Sequence, residues 1–225
     1  MKLILSGGGD AEQTKRLDEF FVSLIPGGRK ILYIPIAMKL KYDTKECLDW
    51  LKKCLNPLNV KNIKTLDNLN GKTFGDIKKF DAVYIGGGNT FSLLKDLREN
   101  KFISLLKKYS ETGIIYGGSA GAIILGKTIN LAGFGEDADE NFVGLTKFNG
   151  LNLIHGFDIQ CHYEKDQEKD LLRYIKKNKN KIIAIPEGAG LYIEDKKMVV
   201  KGEGSIFVFN KNIKKEFNIN EEVTF

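Results

Sequence analysis

Gly113-Ile114-Ile115-Tyr116-Gly117-Gly118-Ser119-Ala120-Gly121-Ala122-Ile123-Ile124-Leu125 joins an apolar, β-rich run to a small-residue helical start through a G-x-S-x-G turn. A strand running in and a helix running out are what make this pentapeptide a nucleophile elbow. The sharp turn holds the serine in a strained backbone geometry above the sheet. The glycines two before and two after leave room for the turned chain to pass its neighbours. The helix that begins at Ala120 aims its positive end at the seryl oxygen. The stretch therefore predicts an α/β sheet with Ser119 at its rim. Gly-Ser-Gly clusters are also ordinary turns, so the assignment depends on partners elsewhere in the chain.

Outward from this turn, short apolar runs at 3–5, 30–36, 60–65, 82–85, 114–116, 157–161 and 182–185 alternate with helical patterns at 11–24, 43–55, 90–109 and 165–177. That alternation predicts three layers, a mostly parallel sheet with helices on both faces, and places function at the carboxyl ends of the strands. Past residue 186 the pattern changes to period-two runs, Leu191-Tyr192-Ile193, Met198-Val199-Val200 and Ile206-Phe207-Val208-Phe209, which read as an antiparallel β appendage at the carboxyl terminus. The segment 128–152 fits neither period and is rich in Gly, Asn, Asp and Glu. A connection of that length in a compact domain is expected to be functional.

At 225 residues the chain is the right size for one well-buried core, so 1–225 is expected to be a single domain. No apolar run is long enough to cross a bilayer. The opening Met1-Lys2-Leu3-Ile4-Leu5-Ser6 reads as a first strand and not a signal peptide, so a cytoplasmic protein is expected. Three cysteines, Cys47, Cys54 and Cys161, are an odd number without metal-ligand spacing, so neither a disulfide framework nor a zinc site is expected, and the chemistry of a seryl nucleophile requires no metal or organic cofactor. The net charge of +6 comes from lysines scattered among acids, with no basic stripe interleaved with aromatics, which argues against a nucleic-acid partner. The β-rich carboxyl-terminal runs, or an apolar helix face, are candidates for pairing in a homodimer.

A seryl nucleophile needs a base, and the chain has two histidines, His155 and His162. His162 closes the run Phe157-Asp158-Ile159-Gln160-Cys161 and precedes a polar helix start, which puts it at a strand's carboxyl end on the same rim as the elbow. His155 lies before that run and is read as structural. The carboxylate that orients the imidazole is sought in Gly135-Glu136-Asp137-Ala138-Asp139-Glu140-Asn141, and spacing does not separate Asp137 from Asp139. Oxyanion donors are expected from the N–H of Ala120 and from the glycine turn Gly86-Gly87-Gly88-Asn89-Thr90, with Gly88 preferred. Neither this turn nor Gly7-Gly8-Gly9 continues to G-x-G-x-x-G, and no P-loop occurs, so nucleotide binding is disfavoured.

Taken together, Ile85-Gly86-Gly87-Gly88-Asn89-Thr90, the elbow Gly117 to Ala122 and the histidine-bearing strand resemble the serine peptidase family of dipeptidase E and cyanophycinase, whose fold is similar to class I glutamine amidotransferases. The resemblance implies a Ser-His-acid hydrolase acting on small peptides through an acyl-enzyme, with Ser119 as nucleophile and His162 as base. The family's aspartate precedes a Phe-x-x-Leu-x-Leu segment, matched here by Phe148-Asn149-Gly150-Leu151-Asn152-Leu153, and this carries the acid's role onto Asp139. Asn89 and Lys165 are the expected substrate contacts. Dipeptidase E proteins cleave dipeptides with an amino-terminal aspartate and carry arginines after the histidine. In this chain Tyr163-Glu164-Lys165-Asp166-Gln167-Glu168-Lys169 follows His162 with no arginine before Arg173, and lysine lacks the bidentate fork. The competing readings are a non-catalytic binding or sensor protein on the same shell, and cyanophycinase-like, amidase or esterase activity.

Overall fold

The computed structural model describes residues 1–135, 138–211 and 213–224. From the amino end the chain runs through β1 (Lys2–Ser6), α1 (Lys15–Leu24), β2 (Lys30–Ile34), α2 (Thr44–Leu55), β3 (Asn62–Thr65), a single turn α3 (Phe74–Ile77), β4 (Ala82–Ile85), α4 (Thr90–Glu99), α5 (Phe102–Ser110), β5 (Ile114–Gly118) and the short α6 (Ala120–Ile123). Then come β6 (Phe157–Cys161), α7 (Glu168–Asn178), β7 (Lys181–Ile185), β8 (Ala189–Glu194), β9 (Lys197–Gly202), β10 (Ile206–Asn210) and β11 (Ile213–Phe217).

Among the described residues these strands form two sheets. The larger has the order β3-β2-β4-β5-β1-β8-β9, parallel from β3 to β1 and antiparallel at β8 and β9. Its central strands are apolar without alternation because both faces are covered. On one face Ile4, Ile31, Tyr84 and Tyr116 pack with Leu17 and Phe21 of α1 and Leu51 and Leu55 of α2. On the other, Leu3, Leu5, Val83, Ile85 and Ile115 pack with Leu93, Leu94 and Leu97 of α4 and Phe102 and Leu106 of α5. Successive residues of β1 thus point to opposite layers, as the pleat requires. The three-layer α/β class expected from the sequence is the one observed.

The second sheet has the order β11-β10-β7-β6, with β6 and β7 parallel and the other pairs antiparallel. The runs at 157–161 and 182–185, read above as members of the main sheet, are here instead. Ile183 and Ile185 of β7 join the main core, whereas Ile182 and Ala184 pack with Leu171, Tyr174, Phe207 and Phe209. A doubly covered strand reads as one apolar run whichever sheet it enters, so its sequence fixes burial and not partnership. The helical pattern at 90–109 is two helices, broken where Lys101 takes a left-handed φ of 55°. No helix among the described residues is long and apolar enough to cross a membrane.

Register brings the glycine turns together. Ser6 pairs with Gly118 and Ile85 with Gly117, so β1, β4 and β5 end on one rim and deliver Gly7-Gly8-Gly9, Gly86-Gly87-Gly88 and Ser119 side by side. Beneath that rim Asp18 of α1 is 1% exposed and accepts from Thr14 Oγ1 at 3.0 Å, while its Oδ1 has no partner among the described residues. Burial pushes this carboxyl up from its ordinary 3.8 to about 7. Below 3.8 the group is neutral in both folded and unfolded chains. As pH rises through the window to 7 the unfolded chain ionises first, and stability falls by on the order of 4 kcal/mol. Asp18→Asn should abolish that term, so its Tm advantage over the parent should grow across the window. A pH-independent difference in paired thermal melts would refute the buried carboxyl's role.

Candidate active site

The turn from β5 into α6 places Ser119 at φ 47° and ψ −111°, a conformation that side chains other than glycine rarely adopt. It is held from both sides. Ser119 N–H donates to Ser6 O at 3.1 Å, and the N–H groups of Ala122 and Ile123 donate to Ser119 O at 2.8 and 3.0 Å. The elbow's last glycine is sterically required, since a Cβ on Gly121 would lie 2.2 Å from Ile85 O. The glycine turn after β4 passes close by: a Cβ on Gly87 would sit 3.3 Å from Ser119 Cβ.

His162 follows β6 directly, with a φ of 50°, and its N–H donates to Gly7 O at 2.9 Å. The imidazole lies over the β1 turn, where a Cβ on Gly8 would approach His162 Cε1 to 2.3 Å. Its Nε2 is 2.8 Å from Ser119 Oγ, and its Nδ1 is 2.8 Å from Glu187 Oε1. An ionised carboxylate only accepts, so the proton belongs on Nδ1 and Nε2 is left to accept from the serine hydroxyl. Glu187 Oε2 in turn accepts from Gln13 Nε2 at 3.0 Å, and Gln13 Oε1 accepts from Asp10 N–H at 2.7 Å.

The carboxylate expected between Ser119 and His162 is not the one that meets the imidazole. Asp137 lies outside the described residues. Asp139 is described, but its Oδ2 accepts from the N–H of Thr90 at 2.8 Å, at the first turn of α4, and both imidazole nitrogens of His162 are engaged elsewhere. Burial raises the Asp139 carboxyl, against which its contacts with Thr90 and the charge of His162 act. Glu187 was missed, although the signal was present: Pro186-Glu187-Gly188 immediately follows an apolar strand, the same argument that selected His162.

The other expected residues divide. The N–H groups of Gly88 and Ala120 have no backbone partner among the described residues, and both turns border Ser119. Asn89 lines the cavity, but its side chain is occupied: Oδ1 accepts from Ser92 N–H at 2.9 Å as the cap of α4, and Nδ2 donates to Glu140 O at 2.9 Å. Lys165 is exposed in a 3-10 turn and is not among the cavity-lining residues. His155 is exposed, with Nε2 3.3 Å from Asp195 O, outside the site. Cys161 is buried, and its Sγ lies 3.6 Å from Ser6 O and 3.5 Å from Ser119 O. No group of three or more His, Cys, Asp or Glu side chains placed to hold a metal ion occurs among the described residues.

Ser119, His162 and Glu187 line one cavity of about 1010 Å³. Residues 3–201 match the profile of peptidase family S51. The chain belongs to this family. The S51 chain is 28% identical over 211 residues to Peptidase E of Haemophilus influenzae strain PittGG, a match covering 88% of this chain and 86% of that one. It is 26% identical over 226 residues to Peptidase E of Shewanella amazonensis, covering 95% and 92%. Its fold is similar to the crystal structure of a peptidase from an acI-B1 actinobacterium, with a TM-score of 0.75 at 20% identity over 100% of this chain and 96% of that one. As an S51 member the protein is a serine-type peptidase, a hydrolase.

Proposed function

We propose that this peptidase hydrolyses dipeptides or short peptides through Ser119, His162 and Glu187. The observation that carries the reading is the continuous relay from Ser119 Oγ to His162 Nε2 and from His162 Nδ1 to Glu187 Oε1, each step 2.8 Å. Ser119 Oγ attacks the scissile carbonyl carbon while its proton passes to Nε2. Glu187 stabilises the imidazolium that forms and keeps the ring in the correct tautomer. The tetrahedral oxyanion is held by the N–H groups of Gly88 and Ala120. Collapse breaks the C–N bond, Nε2 returns its proton to the leaving amine, and a water activated by the same nitrogen cleaves the acyl-enzyme. The cavity volume suits a short peptide, being at the upper end for small-ligand sites.

The N–H of Ala120 supports the oxyanion assignment, because it is buried without a backbone partner among the described residues, which is otherwise costly, and the half-buried N–H of Gly88 likewise has no backbone partner among them. A fluorophosphonate probe tests the reading. Its adduct should map to Ser119 by mass spectrometry, and labelling should abolish turnover of a dipeptide library. Folded protein that resists labelling, or that keeps full turnover after stoichiometric labelling, would overturn it.

A further inference from the structure

Large apolar side chains exposed singly on a surface are unremarked features of any protein, but here they gather. Six are exposed among the described residues: Leu40, Tyr42, Trp50, Phe142, Ile213 and Ile219. The first four all line the cavity that contains Ser119. They come from two segments distant in sequence, 38–50 and 138–142. Exposed apolar side chains gathered in the lining of a nucleophile's cavity mark a ligand surface.

Both segments are anchored. Met38 O accepts from the N–H groups of Lys41 and Tyr42 at 2.8 and 3.0 Å, and the second segment is tied to α4 through Asn89 Nδ2 on Glu140 O and Thr90 N–H on Asp139. The charge of the lining is equally informative. Its described residues include one cation, Lys41, and four acids, Glu46, Asp139, Glu140 and Glu187, in a chain whose net charge is +6. Glu46 accepts from Asp43 N–H as part of the α2 cap, and Glu187 is engaged by His162. Asp139 accepts from Thr90 N–H through Oδ2 alone, so its second oxygen and the Glu140 carboxylate remain to face a substrate. An aspartyl side chain would enter as a further anion among these acids, without an arginine to receive it, whereas a protonated amine would be attracted.

We infer that Ser119 acts on peptides whose amino-terminal residue has an apolar side chain, seated against Leu40, Tyr42, Trp50 and Phe142, and a protonated α-amino group held by Asp139. This deepens the peptidase reading above and rests on it. In an aminoacyl substrate the α-ammonium is one carbon from the attacked carbonyl, so an acid in the nucleophile's own cavity is where such a selector belongs. The rim supplies the selectivity for the side chain, since the apolar contact is lost for a residue that is small or charged.

The test compares kcat/KM for Phe-Ala, Leu-Ala, Gly-Ala and Asp-Ala, together with N-acetyl-Phe-Ala. Phe-Ala and Leu-Ala should exceed Asp-Ala by about 100-fold, and acetylation should raise KM. Trp50→Ala and Phe142→Ala should each shrink the Phe-Ala to Gly-Ala ratio by about tenfold, through KM. Asp-Ala as the best substrate would overturn the inference while leaving the peptidase reading intact. No turnover of any peptide, with Ser119 unlabelled by a fluorophosphonate, would remove the reading beneath it as well. If sedimentation velocity showed Trp50→Ala dissociating a dimer with the substrate ratio unchanged, the rim would be a contact with a second copy of this chain, and the inference would fall.

Discussion

Ser119→Ala is expected to lower kcat for peptide hydrolysis by about 10⁶-fold while leaving the protein folded. The two halves of that expectation have separate causes. In the proposed mechanism Oγ is the attacking atom, 2.8 Å from His162 Nε2, and among the described residues lining the cavity the nucleophile to weigh against it is a thiol. Cys161 also borders the cavity, but burial raises its thiol far above the range in which a thiolate forms, with the negative charge of Asp139 adding to the shift. Its Sγ is directed at the carbonyls of Ser6 and Ser119. Stability should change little. Alanine keeps the Cβ, so the strain at φ 47° is the same in both proteins, and only one hydrogen bond, to His162, is lost. That bond is worth about 1 kcal/mol, or roughly 2–4 °C in Tm. Steady-state kinetics with a scanning melt check both halves. Turnover within tenfold of the parent would move the nucleophile elsewhere.

The elbow was legible in the sequence because its constraints are local. Gly117, Gly121 and the small residues after Ser119 are dictated by a turn whose neighbours are one strand away, and Ser119 adopts the backbone that the motif demands. His162 was legible for a related reason: a polar residue that ends an apolar strand sits on the rim whichever sheet holds the strand. That independence explains why the histidine lies beside Ser119, as expected, even though β6 belongs to the second sheet. The second sheet was not legible because its parallel pair, β6 and β7, carries the same uninterrupted apolar pattern as the main sheet. Its antiparallel strands come later, so nothing local distinguishes the two. Main-sheet strand β8 lies beyond a turn at Pro186-Glu187-Gly188, and that crossing from one sheet to the other carries Glu187 to the imidazole. The carboxylate was sought between serine and histidine, in the order Ser, Asp, His. A relay is defined by geometry and not by order along the chain.

Glu187→Gln separates the two candidate carboxylates, and kcat should fall by about 10⁴-fold. The amide can offer its NH₂ to Nδ1, which draws the ring proton to Nε2 and leaves no acceptor for the serine hydroxyl. The fold should persist, because the side chain is 43% exposed and glutamine preserves its shape and its contact with Gln13. Glu187→Asp should recover part of the lost rate by restoring an acceptor at a shorter reach. Asp139→Asn should behave differently. It leaves both bonds of His162 in place, so kcat should hold within about tenfold while KM rises for peptides with a free amino end. N-acetylated peptides, which have no ammonium to lose, should be indifferent to it. The reverse pattern, with Glu187→Gln near the parent and Asp139→Asn losing kcat on blocked and free substrates alike, would return the orienting role to the acid between serine and histidine. It would also reduce the 2.8 Å contact at Nδ1 to a surface ion pair, which is worth about 1 kcal/mol or less and would not account for the order of the site.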